Sequence, residues 1–189
     1  MTRIGILGDI GSGKSYVARN FGYPIFNADN EVGLLYKKNI KVFTQLKKIL
    51  PKYFHSFPIN KEDVANAILA NDSNLKKIVK IVHFEIRDKL FLFLKKNKNK
   101  KLVILDIPLL LENKINSKKD ILIFVQSKRE QILRRLKKRE NFNVKIFNNF
   151  KKIQLPLDYK KKKAHFIIKN NFTKKSVKDS VKKILKEIL

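Results

Sequence analysis

The sequence predicts an α/β protein, with a five-stranded parallel sheet between two layers of helices. Three observations predict it. Short apolar runs recur along the chain, separated by longer stretches of helical periodicity. The first run leads straight into a glycine-rich turn and a helix, and the last is followed by an amphipathic segment that closes the chain. Strands that alternate with helices need crossover connections, hence a parallel sheet covered on both faces. The 189 residues, 43% of them hydrophobic, suffice for one such domain with its own core and an insertion.

Taken in order, residues 3–7 are a short buried strand ending at Gly8, and residues 15–21 a helix that starts inside the glycine turn. Residues 23–26 form a second strand, ended by the sequence NADN, so that the glycine turn and Asp29 are expected on adjacent strand ends. Residues 31–96 read as helical, with apolar positions at Leu46, Ile49 and Leu50, at Ala65, Ile68 and Leu69, and at Leu75, Ile78, Val79 and Val82. A charged turn at 95–101 precedes strands at 102–107 and 121–125. A basic helix follows at 127–140, then a weakly patterned polar stretch at 141–163 that Pro156 interrupts. The last strand is 166–168. The closing helix carries Val177, Val181, Ile184, Leu185 and Ile188 on one face, with Ser176 and Asp179 spaced as a capping box.

With no cysteines, disulfides and thiolate metal sites are excluded. The longest apolar stretch, LVILDIPLLL, falls well short of the roughly 20 residues of a membrane helix and contains Asp and Pro, so no membrane association is expected and the location expected is cytoplasmic. The formal charge of +28 invites a nucleic-acid reading. The lysines are scattered and lack interleaved aromatics, which favours a solvated surface whose field helps to attract an anionic small substrate.

Gly8, Gly13, Lys14 and Ser15 fit G-x-x-x-x-G-K-[ST], with Gly11 between them. Glycines let the backbone curl its N–H groups toward phosphate oxygens, and the helix N-terminus adds partial positive charge. The Lys14 ammonium reaches the β- and γ-phosphates, the Ser15 hydroxyl is a Mg²⁺ ligand, and the Tyr16 N–H faces the α-phosphate. A strand before the motif and a helix after it are the context a phosphate loop needs. NKED at 60–63 imitates a GTPase base-reading motif, but it opens a helical run, where Asn60 serves as a cap. A small phosphoryl-transfer kinase fits the length better than a motor ATPase.

Several further motifs occur in a telling order: GDIGSGKS, NAD at 27–29, INKEDVANAIL, IVHFEI, DIPLLLEN at 106–113, Arg135 with Arg139, Gln154 with Pro156 and Lys160, and AHFIIKN ending at Asn170. In these the chain resembles the dephospho-CoA kinase family over nearly its whole length. The resemblance implies a three-layer P-loop kinase fold. Its core would be about 1–29, 101–130 and 164–189, with a helical acceptor-binding insertion at about 30–100 and a lid at about 131–163. It implies transfer of the γ-phosphoryl group of ATP, with Mg²⁺, to the 3′-hydroxyl of dephospho-CoA, the last step of coenzyme A synthesis. Another small-molecule kinase of the same fold and a basic nucleic-acid-binding ATPase stand as alternatives. Departures from the family pattern are Asp9, Tyr16, Asn27, Phe84, Val144 and His165.

By the same resemblance Asp29 is the base or orienter for the acceptor hydroxyl, against the plainer reading of a helix cap. Lys14 and Arg139 join it in catalysis. Gly11, Ser12, Gly13, Lys14, Ser15, Tyr16 and Asn170 hold the nucleotide, and Ser15 and Asp106 the metal. His83, Glu112 and Arg135 bind the acceptor. Arg135 and Arg139 lie four apart and are expected to share one helix face as a phosphate clamp, against a merely solvated basic face. Gln154 and Lys160 are further lid candidates. The sequence leaves the oligomeric state open.

Overall fold

The structure is a computed structural model and describes residues 1–140 and 142–189. It alternates strands and helices: β1 (Thr2–Gly8), α1 (Lys14–Asn20), β2 (Ile25–Asn27), α2 (Ala28–Lys38), α3 (Ile40–Ile49), α4 (Lys61–Ala70), α5 (Asp72–Lys96), β3 (Leu102–Asp106), β4 (Ile121–Gln126), α6 (Arg129–Lys137), α7 (Val144–Lys152), α8 (Leu157–Lys163), β5 (Phe166–Lys169) and α9 (Lys174–Ile188). The chain divides into two compact units. The first comprises Met1–Asn27, Phe93–Phe142 and Leu155–Leu189, and the second Ala28–Leu92 and Asn143–Gln154. The expected lid stretch is thus shared out, with α6 and α8 in the first unit and α7 in the second.

The first unit is built on the parallel sheet, in the order β2-β3-β1-β4-β5. Its strands are apolar on both sides because both faces are covered. On one face Ile4, Ile6, Ile104, Ile123, Val125 and Ile168 pack with Val17, Ala18 and Phe21 of α1 and with Val177, Val181 and Ile184 of α9. Each such large side chain contributes about 1.5–3 kcal/mol on burial. Leu110 packs over Gly5, which alternates with Ile4 and Ile6 and so faces the other way. α8 lies against β1 and β4. At the start of β1, Arg3 pairs with Asp120 at 2.9 Å, and the Ser117 N–H donates to the same carboxylate. Burial pushes the Asp120 carboxyl up, and the Ser117 and Arg3 contacts oppose that.

The topology corrects one expectation: β1 and β2 are not neighbours, because β3 lies between them. Parallel strands require a crossover, and here the crossover from β2 to β3 is the run of helices α2 to α5. β2 also ends at Asn27, so Asp29 is the second residue of α2 rather than the end of a strand.

The second unit is helical. Phe54 is fully buried within it, with Val42, Leu46, Ile68, Leu75 and Ile78 also in the core. Glu85 of α5 accepts a hydrogen bond from Asn39, before α3, and forms an ion pair with Lys41 within it, each at 3.1 Å. α7 is joined to α4 by Asn149, whose amide donates to the Ile68 carbonyl, and to α5 by the Lys152–Asp72 ion pair. Among the described residues no helix is long and apolar enough to cross a membrane.

Caps explain where several helices start. The Asn39 and Asn143 side chains accept from the third residue on, Val42 N and Ile146 N, at 3.1 and 3.0 Å. Asn60 occupies the cap position of α4 but makes no such bond. The expected capping box of α9 is absent too, since the helix begins at Lys174 and the Ser176 hydroxyl donates instead to the Lys169 carbonyl. Asn143→Ala is therefore expected to cost about 1 kcal/mol in urea unfolding and Asn60→Ala only a few tenths. Equal losses would refute the distinction.

Candidate active site

The C-terminal edge of a parallel sheet is where ligands bind in open α/β proteins. In the first unit that edge carries the glycine loop after β1, Asp106 at the end of β3, and the turn after β5. A Cβ on Gly8 would stand 2.7 Å from the Val125 carbonyl oxygen of the neighbouring strand. Gly13, with φ +92°, is the residue before α1, and a Cβ there would fall 2.4 Å from the Asn170 amide nitrogen. Only glycine fits at either place.

The loop is braced from outside. The buried Ser12 turns its carbonyl outward, where it accepts from the Asn170 Nδ2 at 2.9 Å and from the Ser127 hydroxyl at 3.0 Å. Lys14 is buried, and its Nζ donates to the carbonyls of Asp9 at 2.8 Å and Gly8 at 3.3 Å. The ammonium is thus folded over the loop that it serves. Asp9 accepts from the Ile10 N–H at 2.7 Å, which accommodates a carboxylate in a loop that usually carries small residues. Ser15 stands in the first turn of α1, and the Tyr16 ring packs on the core cluster, so that residue presents its backbone to the loop.

Asp106 is 3% exposed. It lies opposite Asn27 in the β2–β3 register, and the Asn27 amide donates to its carboxylate. An Asp at that half-buried place would have set a second carboxylate against the buried one, so the departure at position 27 has a clear physical consequence. Among the described residues no group of three or more His, Asp or Glu is placed to hold a metal. The donor set suits Mg²⁺ brought in on nucleotide phosphates, which needs only one or two carboxylates from the protein.

Glu112 and Lys160 are found together. Lys160 is 1% exposed, and its Nζ lies 2.6 Å from Glu112 Oε1, which also accepts from the Leu155 N–H at 3.0 Å. Lys160 is therefore a buried strut on α8 rather than a lid residue reaching into solvent. Arg135, in the last turn of α6, lays its guanidinium over the Phe172 ring at 4.4 Å. Arg139 lies beyond the end of α6, in the following turn, so the two arginines do not share a helix face as expected. At His165, where the family pattern has Asp, the imidazole Nδ1 accepts from the Leu122 N–H at 3.0 Å, and the His165 backbone N–H donates to the Leu122 carbonyl.

A match to the family model described as dephospho-CoA kinase runs over residues 2–176. The chain belongs to the dephospho-CoA kinase family. It is accordingly an enzyme, a kinase that phosphorylates dephospho-CoA with ATP. A dephospho-CoA kinase of Rickettsia typhi is 34% identical, the alignment covering all of this chain and 98% of the relative. A Thermus thermophilus crystal structure superposes with a TM-score of 0.75 at 25% identity, covering 100% and 98% of the two chains. A dephospho-CoA kinase of Campylobacter jejuni has the same fold, with a TM-score of 0.63 at 22% identity and coverage of 99% and 97%.

Of the residues expected from the sequence to form the site, Gly11, Ser12, Gly13, Lys14, Ser15, Tyr16, Asp106, Glu112, Arg135, Arg139 and Asn170 lie in the first unit, and Asp29 and His83 in the second. Asp29 is exposed in the first turn of α2. His83 on α5 accepts from Arg87 Nε at 3.4 Å. Burial, then the Arg87 charge, hold its pKa below the ordinary histidine value, so the ring is neutral at pH 7. Sequence reasoning missed Phe172 and Ser127. The GDIGSGKS motif gives no hint of Ser127, whereas an aromatic two residues after Asn170 was a usable signal.

Two predictions follow from these environments. Removing either charge of the buried pair, by Glu112→Gln or Lys160→Met, is expected to cost about 3–5 kcal/mol in urea unfolding, and the double variant less than the sum. Additive losses would show that the two side chains do not act as a pair. For His83 the folded pKa lies below the unfolded one, so its contribution is intact above about pH 6.5. As the pH falls below that value, the unfolded chain binds a proton that the folded chain resists, and stability declines. His83→Gln should flatten this slope, as read from unfolding midpoints across that range. An unchanged slope would contradict the assignment.

Proposed function

We propose that the phosphoryl acceptor is the 3′-hydroxyl of dephospho-CoA and that Asp29 receives its proton. What carries the reading is a phosphate loop at the end of one strand with a buried carboxylate, Asp106, ending the next, in a chain of this family. The loop N–H groups and Lys14 balance the charge of the ATP phosphates, and Lys14 exchanges its bonds to the Gly8 and Asp9 carbonyls for phosphate oxygens. Ser15 and Asp106 would hold Mg²⁺, which when bound offsets negative charge on the β- and γ-phosphates.

As the 3′-oxygen forms its bond to the γ-phosphorus, the bond to the β,γ-bridging oxygen breaks and ADP leaves. The hydroxyl proton passes to the Asp29 carboxylate and from there to solvent. Arg139 stabilises the charge in transfer, and His83, neutral and hydrogen-bonding, contributes to acceptor binding. The enzyme works in the cytoplasm.

Asp29→Asn tests the central role. It should lower kcat about 10²–10⁴-fold, the range for loss of a general base, while calorimetry finds ATP binding little changed. Near-normal transfer would remove Asp29 from the chemistry.

A further inference from the structure

The phosphate loop has a second neighbour, the basic helix α6. Gly11 of the loop, with φ +83°, lies against it: a Cβ there would stand 3.0 Å from Ile132 Cγ2 and 3.1 Å from Leu136 Cγ. Ile132 and Leu136 share one helix face, and both are buried. Leu136 also holds the turn that follows α6, where its carbonyl accepts from the Arg139 N–H at 3.0 Å. The turn that carries Arg139 is thus anchored by a residue resting on the phosphate loop.

Apolar packing sets a distance but leaves room to slide, whereas hydrogen bonds fix register. Here they converge on one atom, the Ser12 carbonyl oxygen. Ser127 is separated from α6 only by the cap residue Lys128, and its hydroxyl donates to that oxygen at 3.0 Å. In the last turn of α6 the Arg135 guanidinium covers the Phe172 ring, and the Phe172 N–H donates to Asn170 Oδ1. Asn170 Nδ2 in turn donates to the same Ser12 oxygen. Both ends of α6 are therefore tied to one carbonyl, whose two lone pairs are both engaged. The ties differ in what they hold. Asn170 also fastens the loop to the sheet, since its N–H donates to the Gln126 carbonyl of β4. The Ser127 hydroxyl joins the loop directly to the start of α6.

We propose that Ser127 is a positioning residue for phosphoryl transfer, which sets the register between the phosphate loop and Arg139 by tying the start of α6 to the Ser12 carbonyl. The inference rests on the reading of the loop as the donor site and of Arg139 as the group that stabilises the charge in transfer. Misplacing such a group by about 1 Å can cost about a hundredfold in rate, so a hydrogen bond away from the reacting atoms is felt in kcat. Without the Ser127 hydroxyl the loop keeps its Asn170 brace. Nucleotide binding then survives while α6 loses its register.

The test is a double-mutant cycle in the full chain, with ATP and dephospho-CoA as substrates. Ser127→Ala should lower kcat about tenfold, the worth of one hydrogen bond. The calorimetric Kd for ADP should stay within about twofold, as for an independent site. Ser127→Thr, which keeps the hydroxyl, should restore kcat. In an Arg139→Ala background the Ser127→Ala change should alter kcat by less than about twofold, because no guanidinium is left to misplace. An unchanged kcat in Ser127→Ala, a loss seen in the ADP Kd instead of kcat, or no rescue by Ser127→Thr would overturn the proposal. If Arg139→Ala lowers kcat and the Ser127→Ala loss still adds to it in full, the proposal alone falls. If Arg139→Ala leaves kcat unchanged, the reading of Arg139 falls and takes the proposal with it. If the unaltered protein binds no ADP, the donor-site reading is the one that fails first.

Discussion

The outward turn of the Ser12 carbonyl is the constraint on which the site depends. A phosphate loop works only if its N–H groups point inward, which obliges carbonyls to point elsewhere. Ser12 is 1% exposed, so its carbonyl has no water to turn to. Leaving such a group unpaired costs about 1–3 kcal/mol. Asn170 and Ser127 supply the missing donors, from the end of β5 and from the residue after β4. The close approach that lets Asn170 reach Ser12 also forbids a Cβ at Gly13. A glycine near the N-terminus and an asparagine 157 positions later (170 − 13) are thus one requirement seen twice.

Charge obeys the same economy of partners. The chain carries a formal +28, almost all of it outside, where lysines are solvated and mutually screened. The few charged groups that go inside each meet a specific partner. Lys14 lies on loop carbonyls, Asp106 accepts from Asn27, and Lys160 lies on Glu112. The Glu112–Lys160 pair also takes in the Leu155 N–H, at the point where the chain resumes the first unit after its second excursion. A carboxylate on the turn after β3 thereby fixes both α8 and the residue from which α8 is approached.

What could be read from the sequence was whatever depends on local pattern. The five strands, the phosphate loop and the apolar face of α9 were legible because apolar runs and periodicity report burial directly. Strand order was not legible. Nothing in residues 23–29 says that β3 will lie between β2 and β1, since that follows from how a long crossover returns to the sheet. Nor could spacing alone show that Arg139 lies past the end of α6, because the basic run continues across the helix terminus without a glycine or proline to mark it. Sequence reading assigns Glu112 to the acceptor site and Lys160 to the lid, because an isolated charged residue in a motif suggests a ligand. Their pairing across 48 positions (160 − 112) is a tertiary fact.

The corrected strand order strengthens the case for Asp106. With β1 and β2 adjacent, the carboxylate after β2 would have been the first acid beside the phosphate loop. With β3 between them, that place belongs to Asp106, on the strand hydrogen-bonded to β1. It is buried and held by the Asn27 amide, a neutral donor, at the place where the family pattern has a second carboxylate. A fixed, buried acid beside the cradle is suited to a metal ion that arrives with the nucleotide. Asp29 is exposed at the start of a helix in the other unit, where its carboxylate meets solvent. Burial thus separates the two carboxylates, one enclosed beside the cradle and one open to solvent.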